Sequence, residues 1–191
     1  MIYFLIKRLF DIVFSILLLV LLGIPMFVIA LLIKLTSKGP VFYLSDRIGA
    51  GNKIFKMFKF RTMVINTPVV ATHLLAKARN YLTPIGSFLR KYSLDELPQL
   101  INILKGDMSF VGPRPALFNQ DDLVAMRTAK GIHRLIPGLT GWAQVNGRDD
   151  LPIPVKVEFD DAYRARRSFL FDMRILFITV LRVAKKEGVH H

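Results

Sequence analysis

The sequence contains no cysteine, which excludes disulfides, thiolate catalysis and thiolate metal sites and suits a reducing compartment. Acidic residues are scarce as well: 14 Asp plus Glu stand against 27 Lys plus Arg in 191 residues, for a formal charge of +13. Between Asp46 and Asp95 there is no acid at all, although Lys and Arg recur throughout that interval. His73 and His133 are far apart and lack any metal-ligand spacing, so packing or surface roles are expected for them. A charge this large does not suit burial in lipid, while 52% hydrophobic residues is high for a soluble protein. The chain is therefore expected at a boundary, drawing anionic partners: phosphorylated substrates, acidic lipid headgroups or nucleic acid. Its length fits one domain with an appended element.

The appended element is the amino-terminal segment. Residues 12–33, "IVFSILLLVLLGIPMFVIALLI", carry no charge, and as a straight helix they would extend about 33 Å against a hydrocarbon thickness near 30 Å. Pro25, following Gly23 and Ile24, is expected to kink or break that helix. Lys7 and Arg8 precede the run, and Lys34 and Lys38 follow it. The positive-inside tendency then favours keeping both ends on one side, so a re-entrant hairpin ranks ahead of a kinked span and a buried core helix comes last.

After a turn at "GAGN", the stretch "KIFKMFKFRTM" alternates Phe58, Lys59, Phe60 and Arg61 with period two. A strand there places Lys59 and Arg61 on one face, as a solvated edge or a phosphate contact. The same stretch lacks the features of an aromatic RNA-reading strand, so nucleic acid ranks below phosphate. Then comes "SLDELPQL", where Asp95 and Glu96 form an acidic island among leucines. Ser93 fits an N-cap with Glu96 completing a capping box, and Gly106 fits the residue after the C-cap, which predicts a helix over 94–105 distorted by Pro98. Capping alone accounts for Glu96 on one reading. On the other, carboxylates kept ionised among cations at a helix start suit a nucleophile or a metal ligand.

In Gly112-Pro113-Arg114-Pro115 the two prolines restrict the backbone around Arg114, and a guanidinium presented this way suits bidentate phosphate recognition. "PGLTGWAQVNGR" reads as a turn, a short strand and an Asn146-Gly147 turn ending at Arg148, with Trp142 as a packing residue. "VKVEFDDAYRARRS" reads as a solvated helix in which Asp160 and Asp161 carry little functional weight. Residues 169–186 form an apolar helix with Arg174 and Arg182, suited to burial or to the bilayer interface.

Taken in order behind the hydrophobic segment, "KFRTM", "FLRKYSLDELPQLINILKGDMSFVGPRP" and "PGLTGWAQVNGR" resemble the bacterial sugar transferases called monotopic phosphoglycosyl transferases. The resemblance covers nearly the whole chain, and its middle motif is long and specific. It implies an α+β, mostly helical protein: a re-entrant membrane helix over 1–38, and over 39–191 a small cytoplasmic catalytic domain with short strands and interfacial amphipathic helices. The implied reaction moves a sugar 1-phosphate from a UDP-sugar to undecaprenyl phosphate at the cytoplasmic face of the bacterial inner membrane, releasing UMP. Carried onto this chain, Asp95 is the nucleophile and a contact for Mg²⁺, and Glu96 the assisting carboxylate. Lys59, Arg61, Arg90 and Arg114 are candidate phosphate contacts. Membrane lipids are implied partners and nucleic acid is not, and a homo-oligomer is left open. The chain departs from the family where Ile24-Pro25 replaces a frequent Ser-Pro and where Ile136 replaces a frequent Arg.

The rival class is a non-catalytic, membrane-anchored basic module that binds anionic lipid or nucleic acid. It explains the charge and the anchor but gives no reason for the carboxylate pair. A two-carboxylate glycosidase is disfavoured, since its acids must flank the scissile bond roughly 5 to 9 Å apart.

Overall fold

The computed structural model describes residues 2–68, 78–147 and 151–185; His73 and Arg148 lie outside them. The described residues form an α+β protein dominated by helices. Helix α1, Ile2–Thr36, is followed by the strands β1, Phe42–Ile48, and β2, Ile54–Phe60. Next come the short helices α2, Gly86–Lys91, and α3, Gln99–Lys105, and the strand β3, Ser109–Val111. The remainder comprises α4, Asp121–Ala129; β4, Gly138–Thr140; α5, Ile153–Arg166; and α6, Phe169–Lys185.

Helix α1 runs through Pro25 without interruption, so the break expected there is absent. Its 35 residues correspond to about 52 Å of helix, and it alone among the described residues is long and apolar enough to cross a membrane. Near its middle Val20, Leu21, Ile24 and Phe27 are exposed. Both ends, in contrast, are fastened to the rest of the chain by polar bonds. Near the start, Arg8 donates to the carbonyls of Ile103 (2.6 Å) and Leu104 (2.7 Å). These are acceptors of the last turn of α3, where a cation also complements the helix dipole. Asp11 accepts from the backbone N–H of Phe110 at 3.1 Å, and Lys7 donates to Asp172 of α6 at 2.7 Å. At the far end Ile29 and Ile33 pack with Phe60 and Leu89. There the Arg61 guanidinium binds the carbonyls of Ser37 and Lys38 and the Ser37 hydroxyl.

Strands β1 and β2 form an antiparallel hairpin in which Phe42 faces Phe60 and Ile48 faces Ile54. The turn falls where "GAGN" predicted it, with Gly51 and Asn52 at positive φ. Strands β3 and β4 pair in parallel, Ser109 opposite Gly138 and Val111 opposite Thr140. The main core gathers Met57, Leu100, Ile103, Met108, Phe110, Val111, Val145, Tyr163 and Ile175, so the hairpin, α3, the parallel pair and the last two helices share one apolar centre. Trp142 packs on Phe159 and Phe171 as a core ring. Helix α5 departs from the solvated helix expected, because it buries Val157, Asp160 and Tyr163 along one face.

The parallel pair is the tightest part of the backbone. A Cβ on Gly138 would collide with the nitrogen of Gly112 and the carbonyl of Thr140, and one on Gly141 would collide with the carbonyl of Gly112. Gly138→Ala should therefore push two backbone segments apart and destabilise the protein by roughly 1 to 3 kcal/mol. A lowered midpoint of thermal unfolding in detergent micelles is the expected result.

Candidate active site

The acidic pair sits where α3 fails to begin as expected. Ser93 adopts a left-handed conformation (φ 54°), and no side-chain bond caps the turn. Residues Leu94–Glu96 form one 3-10 turn, and α3 starts only at Gln99, after Pro98. The capping box predicted for Ser93 and Glu96 is thus replaced by another arrangement. Without an N–H at Pro98, regular α-helical bonding cannot cross this point, and i→i+3 bonds take over, such as Glu96 N–H to Ser93 O at 3.2 Å. The carboxylate of Glu96, released from capping, turns to side chains from elsewhere in the fold. The other end of the predicted helix is as read, with Gly106 left-handed at φ 92°.

Three separate elements converge on the pair. Lys59 of β2 donates to Glu96 Oε1 at 2.9 Å and stands 3.6 Å from Asp95 Oδ2. Arg114, from the loop after β3, reaches the same Glu96 oxygen through Nη2 at 3.4 Å. Arg90 of α2 donates to Met63 Sδ at 3.5 Å and lies close enough to Asp95 to favour its ionised form. Asp95 is buried, whereas the Arg114 side chain remains 36% exposed. Arg61 is not brought to this cluster. Strand β2 ends at Phe60, and the buried guanidinium that follows serves the end of α1.

Burial sets the two carboxyls apart. For Asp95 desolvation, aided by the neighbouring charge of Glu96, outweighs Lys59, Arg90 and Arg114 and raises its pKa. Burial also opposes ionisation of Glu96, but Lys59 and Arg114 overcome it and lower the group from 4.5 to about 2. Glu96 is therefore the firmly ionised partner that holds two cations in place. Asp95 is the more basic carboxylate, which makes it the better nucleophile of the two. A carboxylate kept ionised among cations was the expectation here; Glu96 fits it, whereas burial pushes Asp95 the other way.

The donor set bears on a metal. Among the described residues no group of three or more His, Cys, Asp or Glu could hold one. Magnesium commonly takes only one or two protein carboxylates and completes its shell with water and substrate phosphate, which two adjacent hard oxygen donors fit.

Asp160 and Arg127 were missed as contributors. Arg127 of α4 donates to Asp160 through Nε at 2.9 Å and Nη2 at 2.5 Å, and its Nη1 reaches the carbonyl of Arg114 at 2.8 Å. A signal for Asp160 existed in its spacing of three from Val157 and from Tyr163, which places an acid on the apolar face of α5.

Comparison with known proteins shows the family of the chain. The family described as Bacterial sugar transferase matches residues 2–186. A Bacillus subtilis (strain 168) protein named as the uncharacterized sugar transferase EpsL is 40% identical over 183 residues, covering 96% of this chain and 89% of the relative. The UDP-glucose:undecaprenyl-phosphate glucose-1-phosphate transferase of Escherichia coli (strain K12) is 42% identical, with 93% and 40% covered. For the undecaprenyl-phosphate galactose phosphotransferase of Salmonella typhimurium the identity is 40%, with 96% and 41% covered. The chain thus spans most of the first relative and under half the length of the other two. It belongs to the bacterial sugar transferase family.

The Glu96 contacts carry a pH signature. A lowered carboxyl pKa contributes stability that is complete above the ordinary value of 4.5 and is lost as pH falls towards about 2. Glu96→Gln should be less stable than the parent by roughly 1 to 3 kcal/mol at about pH 7. That gap should narrow as the pH is taken down to about 3, as followed by thermal unfolding of both proteins.

Proposed function

We propose that this chain transfers a sugar 1-phosphate from a UDP-sugar to undecaprenyl phosphate through a covalent intermediate on Asp95. The observation that carries the reading is the convergence of Lys59 and Arg114 on Glu96 beside the buried, more basic Asp95. An Asp95 oxygen forms a bond to the phosphorus that bears the sugar, and the bond from that phosphorus to the UMP oxygen breaks, with UMP leaving as an anion. An oxygen of undecaprenyl phosphate then attacks the same phosphorus and frees Asp95. Attack of one anion on another requires neutralisation. Lys59 and Arg114 supply it, and the half-exposed Arg114 is the cation that can turn from Glu96 to an incoming phosphate. Glu96 keeps both cations in reach between turnovers. Mg²⁺, held by Asp95 with substrate phosphate, would add Lewis-acid charge stabilisation when bound.

The names of the Escherichia coli and Salmonella relatives, which specify UDP-glucose or undecaprenyl phosphate as substrates, support the donor and acceptor classes. The membrane placement rests on α1. Both of its ends dock on one domain while its apolar middle is exposed. A segment tied down in this way favours entry and return at one bilayer face, and basic residues at both ends favour the cytoplasmic one. Leu170, Phe177 and Val180 are exposed on α6, which also carries Arg174 and Arg182; this suits a helix lying in the headgroup region.

UMP release should be measured from a panel of UDP-sugars with undecaprenyl phosphate and Mg²⁺. At least one donor should turn over in the parent protein, and Asp95→Asn should lose at least about 10³-fold of that rate while remaining membrane-associated. Mass spectrometry of a quenched, donor-loaded sample should find the phosphosugar on Asp95. Full activity of the Asn variant would overturn the assignment, and inactivity of the parent across the panel would favour a basic lipid-binding module.

A further inference from the structure

The loop that presents Arg114 cannot hold itself. Pro113 and Pro115 have no N–H to donate, so its conformation depends on what its carbonyls accept. Four consecutive carbonyls are each held by a different donor. Pro113 O accepts from Gly138 N–H at 2.9 Å, Arg114 O from Arg127 Nη1 at 2.8 Å, Pro115 O from Arg47 Nη1 at 3.2 Å, and Ala116 O from Ile48 N–H at 2.9 Å. Two of these donors are backbone groups fixed by strands. The donor on Arg114 is a side chain, and it is fixed by a buried ion pair: Arg127 is 7% exposed and Asp160 is 1% exposed.

Such a pair is an expensive way to gain stability, because two desolvated charges rarely outperform apolar residues of similar volume. It does fix a direction. Asp160 takes Nε and Nη2 of the planar guanidinium, which leaves Nη1 aimed at one carbonyl. That carbonyl belongs to the residue whose side chain reaches Glu96.

We infer that Arg127 and Asp160 are positioning residues for the transfer reaction, locking the Arg114 backbone so that its guanidinium meets the substrate diphosphate beside Asp95. The inference rests on the reading of Arg114 as a phosphate contact. Neither residue touches the dyad. Arg127 acts through Arg114 alone, and Asp160 acts through Arg127. A lysine at 127 would keep a positive charge opposite Asp160 but has no planar fork to serve the carboxylate and the carbonyl together.

The test uses the full chain and a double-mutant cycle. Arg127→Lys should lower kcat/KM for the UDP-sugar about 10- to 100-fold, the scale of an ångström-sized misplacement. The paired substitution Arg127→Met with Asp160→Leu removes both buried charges at once, and it should melt close to the parent while losing activity similarly. In an Arg114→Ala background, itself impaired, neither change should reduce kcat/KM by more than about 2-fold, because mutations acting through one group are not additive. Full activity in Arg127→Lys, or a loss that persists undiminished in the Arg114→Ala background, would overturn the positioning role. Unimpaired activity of Arg114→Ala alone would instead remove Arg114 from phosphate binding, which separates failure of the underlying reading from failure of this inference.

Discussion

Two adjacent carboxylates in a desolvated setting repel each other and resist ionisation, and the protein depends on the cations that hold them there. Lys59 lies within 4 Å of both acids and Arg114 secures the second. Each comes from a different part of the fold. The hairpin brings Lys59, and the loop between β3 and α4 brings Arg114. With those charges removed, burial would drive both acids towards their neutral forms. With them present, Glu96 stays ionised, while burial leaves Asp95 the more basic of the two.

Helix α1 is part of the same construction. It is apolar enough for lipid, yet polar groups near its two ends bind the rest of the chain. Arg8 satisfies the last carbonyls of α3, the helix that follows the dyad. Arg61, one residue beyond the strand that carries Lys59, satisfies carbonyls just after α1. Movement of this helix would consequently be felt on both sides of the acidic pair.

Much of this was legible in the sequence, because local chemistry decides it. An uncharged run of that length specifies a membrane-competent helix. "GAGN" specifies the hairpin turn, and Gly106 ends α3 because the left-handed conformation there favours glycine. The alternation of Phe58, Lys59 and Phe60 placed Lys59 on a strand. It also suggested Arg61 as a second phosphate contact, and here the pattern misled, since the strand stops one residue earlier and the next side chain turns to α1. The capping box misled in a similar way. Its residue types were present, but Pro98 and the pull of two cations on Glu96 drew the carboxylate elsewhere.

What the sequence determined by itself was the composition of the site: an acid pair at a turn made irregular by proline, a proline-framed arginine, and basic residues on a strand. What only the tertiary structure decided was which cation meets which acid, and therefore which carboxyl is basic and which is held ionised. It likewise decided that Asp160 lies inside, paired with Arg127 beneath the Arg114 loop. Propensity and periodicity act over a few neighbouring residues, whereas burial and ion pairing depend on elements dozens of positions apart arriving within a few ångströms.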